Sequence, residues 1–343
     1  AQDAPPIIDG DETAAFGAVG VLVALDRSGR GGNYCSGTLV DSNWVITAAH
    51  CVEGSEYYTD EGFDLYFMVG TDIYSRSGIT EYAQIIDQTP HPGYDARYLE
   101  HDIAVLELGG TGIRGEDPMP MRDYSIGRDE RGDDVTFVGW GINSDRGSGS
   151  GYKRTVDVPI YDVYSNGTLI THDSDGNRNI CSGDSGGATL MVNSAGLYEL
   201  AAVNSFGFML DGSSRVLCDD PDAAAGSWRV DVDYDWIVGV IGYEPDVDAT
   251  EAPEGGTGGS GDGDGGSGDD GSGDDGSGDG DDGSTDSVDG EDEANEVDSF
   301  GDTTAEDGDV KAGCATAGDS VSGAAGLGLA ALAMLGLARR RDD

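Results

Sequence analysis

Basic residues are what this sequence has least of. Its 343 residues include 18 Lys and Arg against 67 Asp and Glu, a formal charge of −49 at pH 7. Nucleic acids are bound through basic grooves and patches, so nucleic-acid partners are excluded. Cysteine is scarce too: Cys35, Cys51, Cys181 and Cys218 in the first part of the chain and Cys314 near its end. Four cysteines allow three pairings, and residue spacing does not choose among them. The first residue is Ala1 rather than Met and no apolar stretch follows it, the start expected once a signal peptide has been removed. With paired cysteines, that makes an exported, oxidising location the expectation. Long amphipathic helical patterns are missing before residues 234–243 (YDWIVGVIGY).

What is present divides near residue 244. Residues 1–243 hold 39 acidic against 14 basic residues, a net −25, together with recurring apolar runs and most of the aromatics. That is enough to bury a core. An acidic surface of this kind suits high salt, where self-repulsion is screened, and equally serves ordinary solubility. Residues 244–312 are expected to be a disordered acidic linker, with a Gly/Ser/Asp run at 255–283 that offers almost nothing apolar to bury. Calcium-binding nonapeptide repeats also combine Gly and Asp, but they need a regularly placed aliphatic residue that this run lacks.

Within 18–243, short β-type runs at 19–25, 44–47, 65–69, 103–108, 135–140, 155–160, 188–192 and 198–203 are separated by Gly, Asp, Ser and Asn clusters. The pattern predicts an all-β, antiparallel sandwich or barrel. The sharpest motif is Gly183-Asp184-Ser185-Gly186-Gly187, a serine among glycines that let the backbone turn tightly. It also fits the nucleophile elbow of α/β hydrolases, whose base follows the serine. All four histidines, His50, His91, His101 and His172, precede Ser185, which removes that reading.

The order His, Asp, Ser remains. His50 follows directly on the run 44–47, and Asp102 immediately precedes Ile-Ala-Val-Leu-Glu-Leu, at the edge of a core where an unpaired carboxylate would be costly. A serine hydroxyl needs an imidazole to take its proton and a carboxylate to orient that imidazole. Singly, each has a plainer reading: a packed histidine, a strand-starting aspartate, a turn serine.

Their surroundings change the weight. Cys35-Ser36-Gly37-Thr38-Leu39-Val40 with Trp44-Val45-Ile46-Thr47-Ala48-Ala49-His50-Cys51, then His91-Pro92-Gly93-Tyr94, His101-Asp102-Ile103-Ala104-Val105-Leu106, Gly139-Trp140-Gly141 and Cys181 to Gly187, resemble the trypsin and chymotrypsin family over residues 7–243. The resemblance implies two antiparallel Greek-key β-barrels with a C-terminal helix. It implies a serine endopeptidase with His50 as base, Asp102 as its orienting carboxylate and Ser185 as nucleophile. Gly183 and Ser185 would supply the oxyanion-hole amides, with no cofactor and no metal. It pairs Cys35 with Cys51 and Cys181 with Cys218. Asn179, Ser205, Phe206 and Gly207 would line substrate, which would be an extended peptide bound by β-pairing.

Two features depart from the family pattern. Trypsins carry an aspartate where Asn179 stands, so a simple pocket for basic side chains is unsupported, and Asp219, Asp220 and Asp222 are the acidic groups that could reach it by another path. Ile7-Ile8-Asp9-Gly10 resembles the freed N-terminus of mature members, whose α-amino group would pair with Asp184. Residues 1–6 then read as a propeptide remnant, although Pro5-Pro6 precedes Ile7 rather than Lys or Arg. Left uncut, the chain would be a zymogen.

Residues 321–338 are uncharged and mostly Ala, Leu and Gly, followed by Arg339-Arg340-Arg341. A helix there would span about 27 Å, with the arginines cytoplasmic and the protease outside. Residues 313–343, including Cys314, resemble the C-terminal sorting signals of myxobacterial surface proteins, which implies processing by a sorting protease near Cys314 or a retained membrane anchor. The rival readings are an inactive binding protein on a protease fold, displayed at the surface, and an esterase using the same triad.

Overall fold

The computed structural model describes residues 7–75, 77–144, 149–247 and the backbone of 250–251. The residues read as propeptide (1–6), the linker beyond 251, Cys314 and the anchor at 321–338 lie outside the described residues.

After a two-residue strand, β1 (Asp11–Glu12), the chain builds β2 (Val19–Leu25), β3 (Gly31–Asp41), β4 (Trp44–Thr47), helix α1 (Ala49–Asp60), β5 (Asp64–Gly70), β6 (Ile79–Pro90) and β7 (Ala104–Leu108). These six strands close into a barrel in the order β2-β3-β4-β7-β6-β5, every pair antiparallel. The second half supplies β8 (Asp134–Gly139), β9 (Arg154–Val163), β10 (Thr168–Thr171), β11 (Ala188–Val192), β12 (Leu197–Met209) and β13 (Ala223–Arg229). They close in the order β9-β10-β13-β12-β11-β8 through the β8–β9 pairing. Helix α2 (Val230–Ile241) follows, and a short β14 (Thr250–Glu251) pairs with β12. Closure leaves no long unpaired strand edge in either half among the described residues.

Strand β2 shows why the halves adhere. All seven of its residues are buried, because successive side chains point to opposite faces and both faces are covered. Leu22 and Ala24 enter the barrel core, whereas Val21, Val23 and Leu25 pack with Met68, Ile79 and Trp140. Trp140, just beyond β8, is fully buried and its Nε1–H donates to the Val19 carbonyl at 3.3 Å. One wholly apolar strand thus supplies both a barrel interior and the seam to the second barrel.

Candidate active site

His50 lies in the first turn of α1, directly after β4, and Asp102 directly precedes β7; β4 and β7 are paired neighbours, so the two come together at one end of the first barrel. Asp102 is fully buried and accepts from the His50 backbone N–H at 2.9 Å, from His50 Nδ1 at 2.7 Å and from the Ser205 hydroxyl on β12. A carboxylate only accepts, so the imidazole proton sits on Nδ1 and leaves Nε2 bare in the neutral ring. Burial alone would lower the His50 pKa, but the charge and hydrogen bond of Asp102, helped by Glu53, outweigh it and raise the value above 6.5. Burial likewise works to raise Asp102, and the His50 and Ser205 contacts overcome it and hold the carboxyl below its ordinary value.

Ser185 stands on the glycine-rich turn before β11 and is 5% exposed. The first barrel grips this turn through Ser36 of β3. The Ser36 N–H donates to the Ser185 carbonyl at 2.8 Å, its hydroxyl donates to the Gly183 carbonyl at 2.9 Å, and its own carbonyl accepts from the Thr47 hydroxyl at 2.8 Å. Gly186 is required by both torsion and space. Its φ is 78°, and a Cβ would sit 2.1 Å from Thr47 Oγ1 and 2.4 Å from the Ser36 carbonyl oxygen. Gly183 has φ of 95° and lies against the Gly141 backbone. The amides of Gly183 and Ser185 donate to no other backbone carbonyl among the described residues. The Ser185 hydroxyl makes no hydrogen bond to His50 Nε2 among them, as is common before substrate tightens such contacts.

Asp184 is fully buried and bonded by the amides of Gly141 at 2.8 Å and Cys181 at 2.9 Å. Burial pushes its carboxyl up to about 6, against those two amides and the distant charge of Arg154. Arg154 bonds the Gly141 carbonyl at 3.3 Å and so stands one residue removed. Ile7 is fully buried, and Ile8 pairs with Asn179 in both directions, at 3.0 and 3.3 Å.

Beside Ser185 opens a cavity of about 190 Å³ lined by Ile142, Asn179, Ile180, Cys181, Ser182, Ser205, Gly207, Val216 and Cys218. No charged side chain is among them, and Asp219, Asp220 and Asp222 are not part of the wall. The Asn179 side-chain oxygen accepts from the Ile180 N–H at 2.9 Å, which leaves its NH₂ as the free donor. Phe206 is not part of that wall either; its ring covers Gly226 on β13, where a Cβ would meet it at 2.2 Å. The Cys35–Cys51 and Cys181–Cys218 disulfides are both formed, with Cα separations of 6.2 and 5.4 Å. One ties β3 to the helix bearing His50 and the other spans the cavity wall. Neither the gripping role of Ser36, a residue inside the Cys35–Val40 segment, nor the carboxylate of Asp233, which meets His91 and His101, carries a sequence signal of its own.

The trypsin family model matches residues 7–220. Brachyurin from Leptuca pugilator is 30% identical over 226 residues, covering 62% of this chain and 89% of that protein. Trypsin eta of Drosophila erecta is 27% identical over 223 residues, covering 60% and 82%. Among solved structures, neuropsin, a serine protease of mouse brain, superposes with a TM-score of 0.53 at 18% identity, over 68% of this chain and 99% of its own, a likeness of fold alone. With both barrels closed as that fold requires and the family model running from Ile7 through Ser185 and beyond, the chain belongs to the trypsin family.

Proposed function

We propose that this protein is an exported serine endopeptidase acting through an acyl-enzyme. The reading is carried by one observation: a buried Asp102 that orients the Nδ1–H of His50, on a barrel that grips the Ser185 turn through Ser36. Ser185 attacks the scissile carbonyl, His50 Nε2 takes the hydroxyl proton and returns it to the leaving amine, and Asp102 stabilises the imidazolium. The free amides of Gly183 and Ser185 receive the developing oxyanion, where each donor is worth about 3 kcal/mol. The uncharged cavity with the Asn179 amide as a donor favours neutral substrate side chains over Lys or Arg, since a cation buried there would have no counter-charge. Two disulfides fit an extracellular location, and the segment from Cys314 onward is read as its surface anchor.

Activation is part of the proposal. Ile7 has φ of 41°, a left-handed torsion that a β-branched residue adopts only under strain. That torsion is defined by the bond to residue 6, so cutting this bond abolishes it. The cut also creates an α-amino group on a docked, buried segment, a cation able to pair with Asp184, which has no ion-pair partner among the described residues. The test is fluorophosphonate labelling of the purified protein beside Ser185→Ala, with mass spectrometry of the N-terminus. Labelling that needs Ser185 and an N-terminus at Ile7 is expected. No labelling of a chain that begins at Ile7 would leave the protease-fold binding protein as the better account.

A further inference from the structure

Asp102 is carried by a strained turn that is held from outside the triad. His101 has φ of 52°, a strained region that non-glycine residues seldom enter. The turn is tight, because the His101 carbonyl accepts from the Ile103 N–H at 2.8 Å with Asp102 between them. In so short a turn the direction of the Asp102 carboxylate follows the torsions of His101.

A cluster built around the buried Asp233 of the C-terminal helix holds His101 there. Its Nδ1 lies 3.0 and 2.9 Å from the two carboxylate oxygens of Asp233. Asp233 is 5% exposed, has non-helical torsions inside α2, and accepts from Trp228 Nε1 at 2.7 Å. The His101 ring stacks on His91 at 4.4 Å and tilts against Trp228 at 4.8 Å, while His91 packs edge-on to Trp236 and its Nε2 stands 3.6 Å from Asp233. A buried carboxylate is costly unless satisfied, and here the His101 ring and the Trp228 indole, from separate elements, both bond Asp233 while His91 stands beside it.

The donor atoms of His91, His101 and Asp233 lie within 4.8 Å of one another, a spacing that would also admit a cation. The Gly93 amide, however, donates to His91 Nδ1 at 3.1 Å. That bond keeps the ring proton on Nε2, the atom a cation would need bare, so the cluster works as a hydrogen-bonded clamp.

We propose that Asp233, acting through His101, is a positioning residue for Asp102, an inference that rests on the triad reading above. It touches neither substrate nor the reacting atoms, so its loss slows turnover and leaves substrate binding alone. The test uses the full chain with Ile7 freed and the variants Asp233→Ala, His101→Gly and His101→Asn. Two readouts are compared: kcat and KM on a peptide amide, and the far-downfield proton NMR resonance of the His50–Asp102 hydrogen bond, which is visible without turnover.

His101→Gly tolerates the torsion but has no side-chain donor. Its kcat is expected to fall roughly tenfold to a hundredfold, as a misplaced catalytic group does, with KM within about twofold, and the resonance should move or broaden. His101→Asn tolerates the torsion and places an amide N–H the same number of bonds from the backbone as imidazole Nδ1, so it should recover most of both. Asp233→Ala should match His101→Gly, and if it does not fold, the two His101 variants still decide. A folded His101→Gly with unchanged kcat and resonance overturns the proposal, as does His101→Asn performing no better than His101→Gly. If the parent chain is not labelled by fluorophosphonate, the triad reading fails separately, and the resonance alone decides the positioning role.

Discussion

The two barrels share an architecture and differ in how they hold their buried charge. In the first, Asp102 is satisfied by three donors and lies below its ordinary pKa. In the second, Asp184 is equally buried, has two amides and, among the described residues, no ion-pair partner, and is pushed up to about 6. The carboxylate of the first barrel is satisfied as folded, whereas that of the second has no ion-pair partner among the described residues, the gap that the proposed freeing of Ile7 would fill. On the activation proposed above, a cut before Ile7 would govern the turn that bears Ser185.

The sharpest way to break this comparison is to remove the satisfied side. Asp102→Asn should lower kcat about 10⁴-fold, the size known for losing that carboxylate in a serine-protease triad. Activity requires neutral His50, so in the parent it should be lost as pH falls through a value above 6.5. In Asp102→Asn that acid limb should move downward, since burial then acts without an opposing charge; a pH–kcat/KM profile of both proteins checks this.

On the unsatisfied side, the Asp184 pKa in the folded chain lies above its unfolded value of 3.8. Folding therefore favours the protonated form. The contribution is complete below about pH 4 and is lost as pH rises through about 6, amounting to about 3 kcal/mol. While residues precede Ile7, Asp184→Asn should gain about that much stability over the parent at pH 7.5 and almost none at pH 4, and the gain should vanish once Ile7 is free. Urea unfolding of both forms at the two pH values measures it.

The seam between barrels offers a smaller effect. Gly186→Ala forces a side chain onto a torsion of 78° and against the Ser36 carbonyl, and should destabilise by about 2 kcal/mol, read as a lowered Tm with labelling of Ser185 slowed. The smallest effect concerns selectivity alone. Asn179→Asp should raise cleavage after Lys or Arg relative to Leu or Phe by about tenfold, the yield of one added charge pair; an unchanged ratio on paired amide substrates would mean that Asn179 does not face the substrate side chain.

Much of this was legible because it is local. The run 19–25 is apolar throughout and is strand β2, buried along its whole length, and the apolar 44–47 run ends three residues before His50. Other elements were hidden. Strand β13 reads Ala-Ala-Ala-Gly-Ser-Trp-Arg, a helix-favouring start that its pairing with β10 and β12 and complete burial override. Helix α1 buries Ala49, Cys51, Val52 and Ser55, a face of mostly small residues that carries little periodic signal. Strand β3 was obscured by Gly31, Gly32 and Gly37; at Gly31 a Cβ would meet the Ala24 carbonyl at 1.7 Å.

The sequence by itself determined the chemistry on offer: which histidine follows a strand, which serine sits among glycines, which cysteines flank them, and that the chain repels polyanions. Those properties follow from residue type and near neighbours. Only the tertiary structure decided that Ser36 grips the Ser185 turn across 149 residues of sequence, that Asp184 is fully buried on two backbone amides, and that Asp233 closes on His101 from 132 residues away. Burial and long-range hydrogen bonds are properties of the folded arrangement, and no local pattern encodes them.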